Sequence, residues 1–381
     1  MSKRVIQVFQ PSLGDDELAA VSRVFTRNWP GRGEEVRLFE LEFANFLSQD
    51  YQKILTTNSC TEAIFQILNL ITTPGDEVIL PTISFVGGAN AIYGQGLKPI
   101  FCDVDSLTGN ATLEEIKKVV THKTKVILVQ HFGGIPLEIK ELADWAQAQS
   151  IFLIEDAAGA IGSTYMNKHC GTFGDFGVWS LDSMKMVVAG DGGIIFAKSA
   201  ENATLLRERT YMGLSNISGS SSSGQQKRWW EFDVSFPGRR SIMNDISASI
   251  ARVQLGKLGE NMSSRKRNAQ LYLNLLSQTP FISLPMKNYM NNSSHYFFPI
   301  FVSNAKRDEL AEYLKNQGIY TTFRYFPLNR VQLYGAQGLE FLGSDLFTAN
   351  TLLLPQHNGL TIDDIDFISS TLNRAPFLGM Q

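Results

Sequence analysis

From about residue 50 to 200 the chain alternates short apolar runs with amphipathic stretches. Lys53–Thr57, Glu77–Leu80, Pro99–Val104, Lys125–Gln130, Ile151–Glu155, Gly177–Leu181 and Gly192–Ala197 are rich in Val, Ile and Leu and bounded by Gly, Pro or Asp, which predicts strands. Between them, Thr61–Ile71, Leu113–Val120 and Leu137–Gln149 carry helical spacing, and Thr112 with Glu115 reads as a capping box. Strands alternating with helices predict an α/β fold whose mostly parallel, seven-stranded sheet is covered on both faces. The last two strands are joined across Gly190-Asp-Gly-Gly193, which predicts one antiparallel member.

Helices are expected before the sheet at Asp15–Arg27 and Glu34–Leu47. After it, Ser215–Gln226 is a low-complexity, serine-rich loop, expected to cover the substrate site and to order on binding. A long helix is predicted over Asp245–Leu276. Then follow a strand at Tyr296–Val302, a helix at Arg307–Gln317, a strand at Tyr320–Tyr325 and a last helix at Ile362–Leu372. This order divides the chain into a large α/β domain over 1–250 and a smaller α+β domain over 251–381.

Composition narrows the function. With 381 residues there is room for two cores, and 44% hydrophobic with 19% charged residues is ordinary for a globular protein. A net charge of −3 gives no basic field for nucleic acid or an anionic membrane. No apolar run approaches the ~20 residues that span a bilayer, and Met1–Gln10 lacks the apolar core and cleavage site of a signal peptide. Cys60, Cys102 and Cys170 are an odd, sparse set, which points to a reducing compartment and a cytoplasmic location. No residue pattern calls for a metal.

The chemistry concentrates around Lys185. It sits between a short apolar strand and the glycine hairpin, flanked by Met184, Met186, Val187 and Val188, and Asp156 ends an earlier apolar run. An amine with an upstream carboxylate is what a pyridoxal phosphate enzyme needs: the amine condenses with the cofactor aldehyde, and the carboxylate keeps the ring nitrogen protonated. Partial burial is expected to lower the lysine pKa. Ser59, Cys60 and Thr61 follow a strand and open a helix, where hydroxyls and free N–H groups hold phosphate. Ser180 offers a second phosphate contact, and Phe85 a ring to lie against an aromatic cofactor. Each alone has a plainer explanation: a Ser/Thr cap, a core phenylalanine, a helix-capping or magnesium-binding Asp, a solvated lysine. The ordered set carries the argument.

That set resembles the DegT/DnrJ/EryC1/StrS family of pyridoxal-phosphate-dependent sugar aminotransferases, of fold type I, over nearly the whole chain. The likeness begins with Pro11-Ser-Leu-Gly-Asp-Asp-Glu and Asn28-Trp-Pro-Gly-Arg-Gly33, and continues through Asn58-Ser-Cys-Thr61, Pro74-Gly-Asp-Glu-Val-Ile-Leu-Pro81 and Lys98-Pro-Ile-Phe-Cys-Asp-Val-Asp105. It extends over Gln130-His-Phe-Gly-Gly134, Glu155-Asp-Ala-Ala158, Ser180 to Lys185, Gly190-Asp-Gly-Gly193, Arg324-Tyr-Phe-Pro-Leu328 and Leu354-Pro-Gln-His357. The resemblance implies that Lys185 bonds the cofactor and shuttles a proton, and that Asp156 pairs with the pyridinium nitrogen. It further implies that Ser59, Thr61, Ser180 and the backbone around Cys60 hold the phosphate, and that Phe85 stacks on the ring. Dehydratases among the relatives replace this lysine with histidine, so Lys185 favours transamination of a keto-sugar, nucleotide-linked, by an amino acid donor such as L-glutamate.

Three departures from the family pattern stand out. Gly159 replaces the usual Gln after Glu-Asp-Ala-Ala, near the cofactor's phenolic oxygen. Gly238-Arg-Arg-Ser-Ile242 puts Arg240 where an asparagine reaches the partner subunit's cofactor phosphate, so a homodimer with shared sites is implied. Arg324 replaces a histidine before Tyr325. Arg239, Arg324 and, as an alternative to the phosphate role, Arg240 are candidates for binding an anionic substrate, with Tyr325 and His357. The alternatives left open are a dehydratase or deoxygenase on the same sugars, an aminotransferase of a free keto-sugar acid, and a non-catalytic regulatory relative.

Overall fold

A computed structural model describes residues 5–214, 232–303 and 305–376. The serine-rich segment 215–226 lies outside the described residues. In chain order the first half comprises α1 (Asp15–Thr26), α2 (Glu34–Leu47), β1 (Ile54–Thr57), α3 (Cys60–Ile71), β2 (Glu77–Pro81), α4 (Val86–Tyr93), β3 (Lys98–Cys102), α5 (Leu113–Val119), β4 (Thr124–Gln130), α6 (Ile139–Ala148) and β5 (Phe152–Asp156). A small ribbon of β6 (Thr164–Tyr165) and β7 (Lys168–His169) leads to β8 (Phe176–Ser180), β9 (Gly193–Ala197) and α7 (Ala200–Thr210). Then come α8 (Asp245–Gly256), α9 (Leu258–Leu276), β10 (Ile282–Ser283), β11 (Phe298–Val302), α10 (Arg307–Asn316), α11 (Leu342–Asn350), β12 (Thr351–Leu354) and α12 (Ile362–Asn373).

The seven predicted strands form one sheet in the order β1-β9-β8-β5-β4-β2-β3, and β9 is the antiparallel member, paired with both β1 and β8. Strand alternation sends successive side chains to opposite faces. Val78 and Leu80 therefore join one apolar layer with α3, α4 and α7, while Ile79 joins the other with α5 and α6. On that second side, near β1 and β9, α2 and α8 cover Ile194, Phe196 and Trp179, whose ring packs edge-on against Phe43 at 5.2 Å. A three-stranded antiparallel sheet, β10-β11-β12, packs against α9 and α12, with Phe298 against Tyr272 at 4.7 Å.

Four sequence expectations need correction. The helix over Asp245–Leu276 breaks at Lys257, where Gly256 and Gly259 weaken helical propensity on both sides. Residues 320–325 are not a strand: Thr322 makes a single bridge with Leu353, and the chain then leaves the sheet edge for the cavity described below. The strand predicted at Tyr296 begins only at Phe298, because Phe297 N–H donates to Gly133 O and not to a neighbouring strand. The capping box at Thr112 is half made. Thr112 accepts from Glu115 N–H, but the Glu115 carboxylate pairs with Lys118.

α2 is capped across the fold. Buried Asp245 accepts from the N–H groups of Gly33 (2.8 Å), Val36 (3.1 Å) and Glu35 (3.3 Å), so the first residue of α8 satisfies the orphan donors of α2 and meets its positive end.

Candidate active site

β1, β2, β5 and β8 run in one direction, so their carboxyl ends open at one edge of the sheet, where ligands bind in open α/β folds. A cavity of about 330 Å³ lies there. Its wall carries Ser59, Cys60, Thr61, Phe85, Asp156, Ser180, Lys185, Arg324 and Tyr325, all singled out from the sequence. Arg239, Arg240 and His357 are not in that wall.

Asp156 and Ser180 end strands, and Lys185 is carried by the loop after β8. β5 and β8 are hydrogen-bonded neighbours, with Asp156 opposite Val178, so the loops after both strands meet. The loop after β8 is pinned at its ends by Leu181 N–H to Gly192 O (2.9 Å) and Ala189 N–H to Leu181 O (2.8 Å), and buried Met186, Val187 and Val188 hold its middle. Lys185 is thereby turned inward, half-buried, its Nζ 4.9 Å from the centre of the Tyr296 ring. Asp156 accepts from Ala158 N–H at 3.0 Å. Burial raises the Asp156 pKa, opposed by that N–H and by Lys185.

Lys185 departs from expectation in one respect. Burial acts to lower its pKa, but Tyr296, Tyr325 and Asp156 around the amine outweigh burial, and in the protein without ligand the pKa is raised.

The opening of α3 provides the anion-binding end. The Ser59 hydroxyl is the N-cap, accepting from Glu62 N–H at 3.1 Å, which leaves the first-turn N–H groups of Cys60 and Thr61 without helical partners. β9 lies tight against this turn: a Cβ on Gly193 would stand 2.5 Å from Ser59 O, so only glycine allows the approach. Burial raises the Cys60 thiol pKa well above its ordinary value, so the cysteine is a neutral wall residue. Phe85 is the N-cap of α4, 47% exposed, its ring 5.6 Å from that of Tyr325.

Arg324 stands over the Phe9 ring at 4.9 Å with Nη2 3.5 Å from Met184 Sδ. Among the described residues it is paired with no carboxylate. Arg239 is committed to Glu62 at 3.1 Å, and Arg240 is exposed beside Tyr211. His357 is buried, and burial pushes its pKa down to about 4.

Of the wall residues to which the sequence reading assigns no role, two matter for the chemistry. His131 hydrogen-bonds Glu155 at 2.9 Å. Tyr296 fills the space that a side chain at Gly159 would take.

An amine, a facing carboxylate, a helix N-terminus with hydroxyls and an aromatic wall make a donor set that fits pyridoxal phosphate. The fold and this set define the fold-type I class of pyridoxal phosphate transferases. Within that class the chain belongs to the DegT/DnrJ/EryC1/StrS aminotransferase family, whose model matches residues 11–373. The family depends on pyridoxal phosphate. The chain is 40% identical to dTDP-4-dehydro-2,3,6-trideoxy-D-glucose 4-aminotransferase of Saccharopolyspora spinosa, over 97% of each sequence. It is 27% identical to GDP-perosamine synthase of Escherichia coli O157:H7, over 97% of this chain and 98% of that one. The aminotransferase TlmJ from Streptoalloteichus hindustanus superposes with a TM-score of 0.91 at 38% identity, covering 98% of this chain and 99% of that one. No helix among the described residues is long and apolar enough to cross a membrane.

Proposed function

We propose that this aminotransferase converts a nucleotide-linked keto-sugar to an amino sugar, taking nitrogen from an amino acid such as L-glutamate. The observation that carries the reading is the meeting of Lys185 and Asp156 in one cavity beside the free N-terminus of α3. The 40% identical dTDP-keto-sugar 4-aminotransferase supports the substrate class. Bound here, pyridoxal phosphate supplies an aldehyde that carries the amino group between substrates and a ring that accepts electrons.

The chain's own groups do the rest. Lys185 Nζ holds the cofactor between turnovers. Once released, it moves a proton off the donor's α-carbon and later delivers one to the sugar carbon. Asp156 keeps a negative charge against the ring nitrogen. Thr61, Ser180 and the Cys60 and Thr61 N–H groups hold phosphate, and Phe85 and Tyr325 shut water from one side. Arg324, paired with no carboxylate among the described residues, takes an anionic substrate group. Arg240 is exposed and outside its own chain's cavity, which suits a role toward a second copy in a homodimer.

The test is incubation of the loaded enzyme with dTDP-4-dehydro-2,3,6-trideoxy-D-glucose and L-glutamate. Formation of the aminated sugar with 2-oxoglutarate, in parallel-line initial-rate kinetics, is expected. Ammonia release without an aminated sugar would identify a dehydratase instead. Arg324→Ala is expected to raise KM for one substrate about 10- to 100-fold with kcat little changed, the loss of a charge-assisted hydrogen bond common to ground and transition states. Steady-state kinetics with each substrate varied identifies which one.

A further inference from the structure

Tyr296 is 1% exposed, yet among the described residues its hydroxyl meets no donor or acceptor, although it belongs to the wall of the Lys185 cavity. A buried hydroxyl without a partner is a net cost to the fold. The ring cannot turn away to find one. It stacks on Phe297 at 4.4 Å and on Phe9 at 5.9 Å, and Arg265 Nη1 donates to its carbonyl at 3.4 Å. Its position depends on residue 159 having no side chain, since a Cβ on Gly159 would stand 2.6 Å from Tyr296 Cδ1. Lys185 Nζ lies over the ring face, so the amine does not engage the hydroxyl either. The hydroxyl borders the Lys185 cavity, where a bound molecule can supply the missing partner.

We propose that the Tyr296 hydroxyl binds the cofactor, donating a hydrogen bond to the phenolic oxygen of pyridoxal phosphate, and that Gly159 admits the phenol to that place. The inference rests on the proposed cofactor chemistry of Lys185. The ring carbon that bears the aldehyde Lys185 must reach has two substituted neighbours. One bears the phosphate arm, for which the α3 terminus and Ser180 are the available holders; the other bears the phenolic oxygen. A donor at that oxygen favours its anionic form and lowers its pKa. The hydroxyl thus does from position 296 what a longer side chain at 159 would do, and the Phe9–Tyr296–Phe297 stack keeps it aimed.

The test is Tyr296→Phe, which keeps the ring and removes only the oxygen. Three quantities are measured on wild type and variant: the Kd for pyridoxal 5′-phosphate, the pH midpoint of the bound cofactor's visible absorbance, and the Tm of cofactor-free protein. In the variant Kd is expected to rise about three- to tenfold, the yield of one hydrogen bond. The absorbance midpoint is expected to move upward by up to about one pH unit. The cofactor-free Tm stays level or rises, because a purely structural hydroxyl would lower it. Gly159→Ala, whose Cβ displaces the ring, is expected to move the midpoint in the same direction. A Tyr296→Phe protein with wild-type Kd and wild-type midpoint overturns the inference. A wild-type protein that binds no pyridoxal 5′-phosphate overturns the cofactor reading beneath it, and is a different result.

Discussion

Replacing Lys185 with alanine is expected to lower turnover about 10⁴-fold or more, since the variant loses both the covalent hold on the cofactor and the group that moves the substrate proton. The fold should survive. Lys185 is tied in place through its backbone, N–H to Asp182 O at 2.9 Å, and its neighbours Met186 to Val188 supply the loop's buried surface. Borohydride reduction of the loaded proteins separates the covalent role from mere binding: mass spectrometry should find the cofactor fixed to the wild-type chain and absent from the variant. Full turnover in Lys185→Ala would remove the basis of the mechanism. The raised pKa of this amine adds a second, independent expectation. In the free protein the amine is an ammonium at neutral pH, and only the neutral form adds to an aldehyde. The rate of cofactor loading should therefore climb with pH between about 7 and 9, approaching tenfold per unit well below the pKa. A loading rate flat over that range would mean that the amine is already neutral, its pKa lowered by burial and not raised.

Local residue pattern carried the sheet but not every element around it. All seven strands were legible, because strands of a covered parallel sheet are apolar throughout and punctuated by Gly, Pro or Asp. α4 was not. Its sequence, Val86-Gly-Gly-Ala-Asn-Ala-Ile-Tyr93, has two glycines in the first turn and little polar face, so no helical period emerges. It forms because Ala89, Ala91 and Ile92 are buried against the sheet layer. Residues 320–325 show the opposite case, a β-prone run that has only one bridging pair on the edge of β12. The cavity wall was legible at Asp156 and Ser180, which end strands, and at Lys185 in the loop that follows β8. Tyr296 lies in an aromatic run, Tyr296-Phe-Phe298, that reads as core, and its role depends on a void at Gly159, 137 positions earlier. The signal was a missing side chain, which needs a filler from elsewhere in the fold. Arg239 illustrates the reverse limit: its charge was visible, but its pairing with Glu62 follows only from the folded chain.

Glu155→Gln is expected to cost about 3–5 kcal/mol near neutral pH, the range for breaking one partner out of a buried ion pair. Glu155 precedes Asp156 on β5, and strand alternation turns it to the other face of the sheet. There it is fully buried and saturated: its carboxylate accepts from the N–H groups of Gly171 (2.8 Å), Phe173 (2.6 Å) and Gly174 (2.7 Å) and pairs with His131 at 2.9 Å. An amide in its place keeps one acceptor, turns an NH₂ toward donors and removes the charge that His131 faces. Burial disfavours a charged imidazole, as does Leu137 N–H, which points at its Nδ1 at 3.3 Å, but Cys170 and Glu155 against the ring push the His131 pKa up to about 10. A folded pKa above the unfolded value of about 6.5 gives stability that is complete below that pH, declines as pH rises, and is gone above about 10. The deficit of Glu155→Gln relative to wild type should therefore be widest at or below neutral pH and shrink toward pH 10. Urea unfolding of both cofactor-free proteins at pH 6.5, 8 and 9.5 measures it. A deficit that stays constant across that range would show that His131 is neutral when buried, and that Glu155 acts on the backbone N–H groups alone. The same pair would bear on function, because His131 forms part of the cavity wall that Asp156 shares. A charge lost behind the sheet then reaches the cofactor side through one imidazole ring.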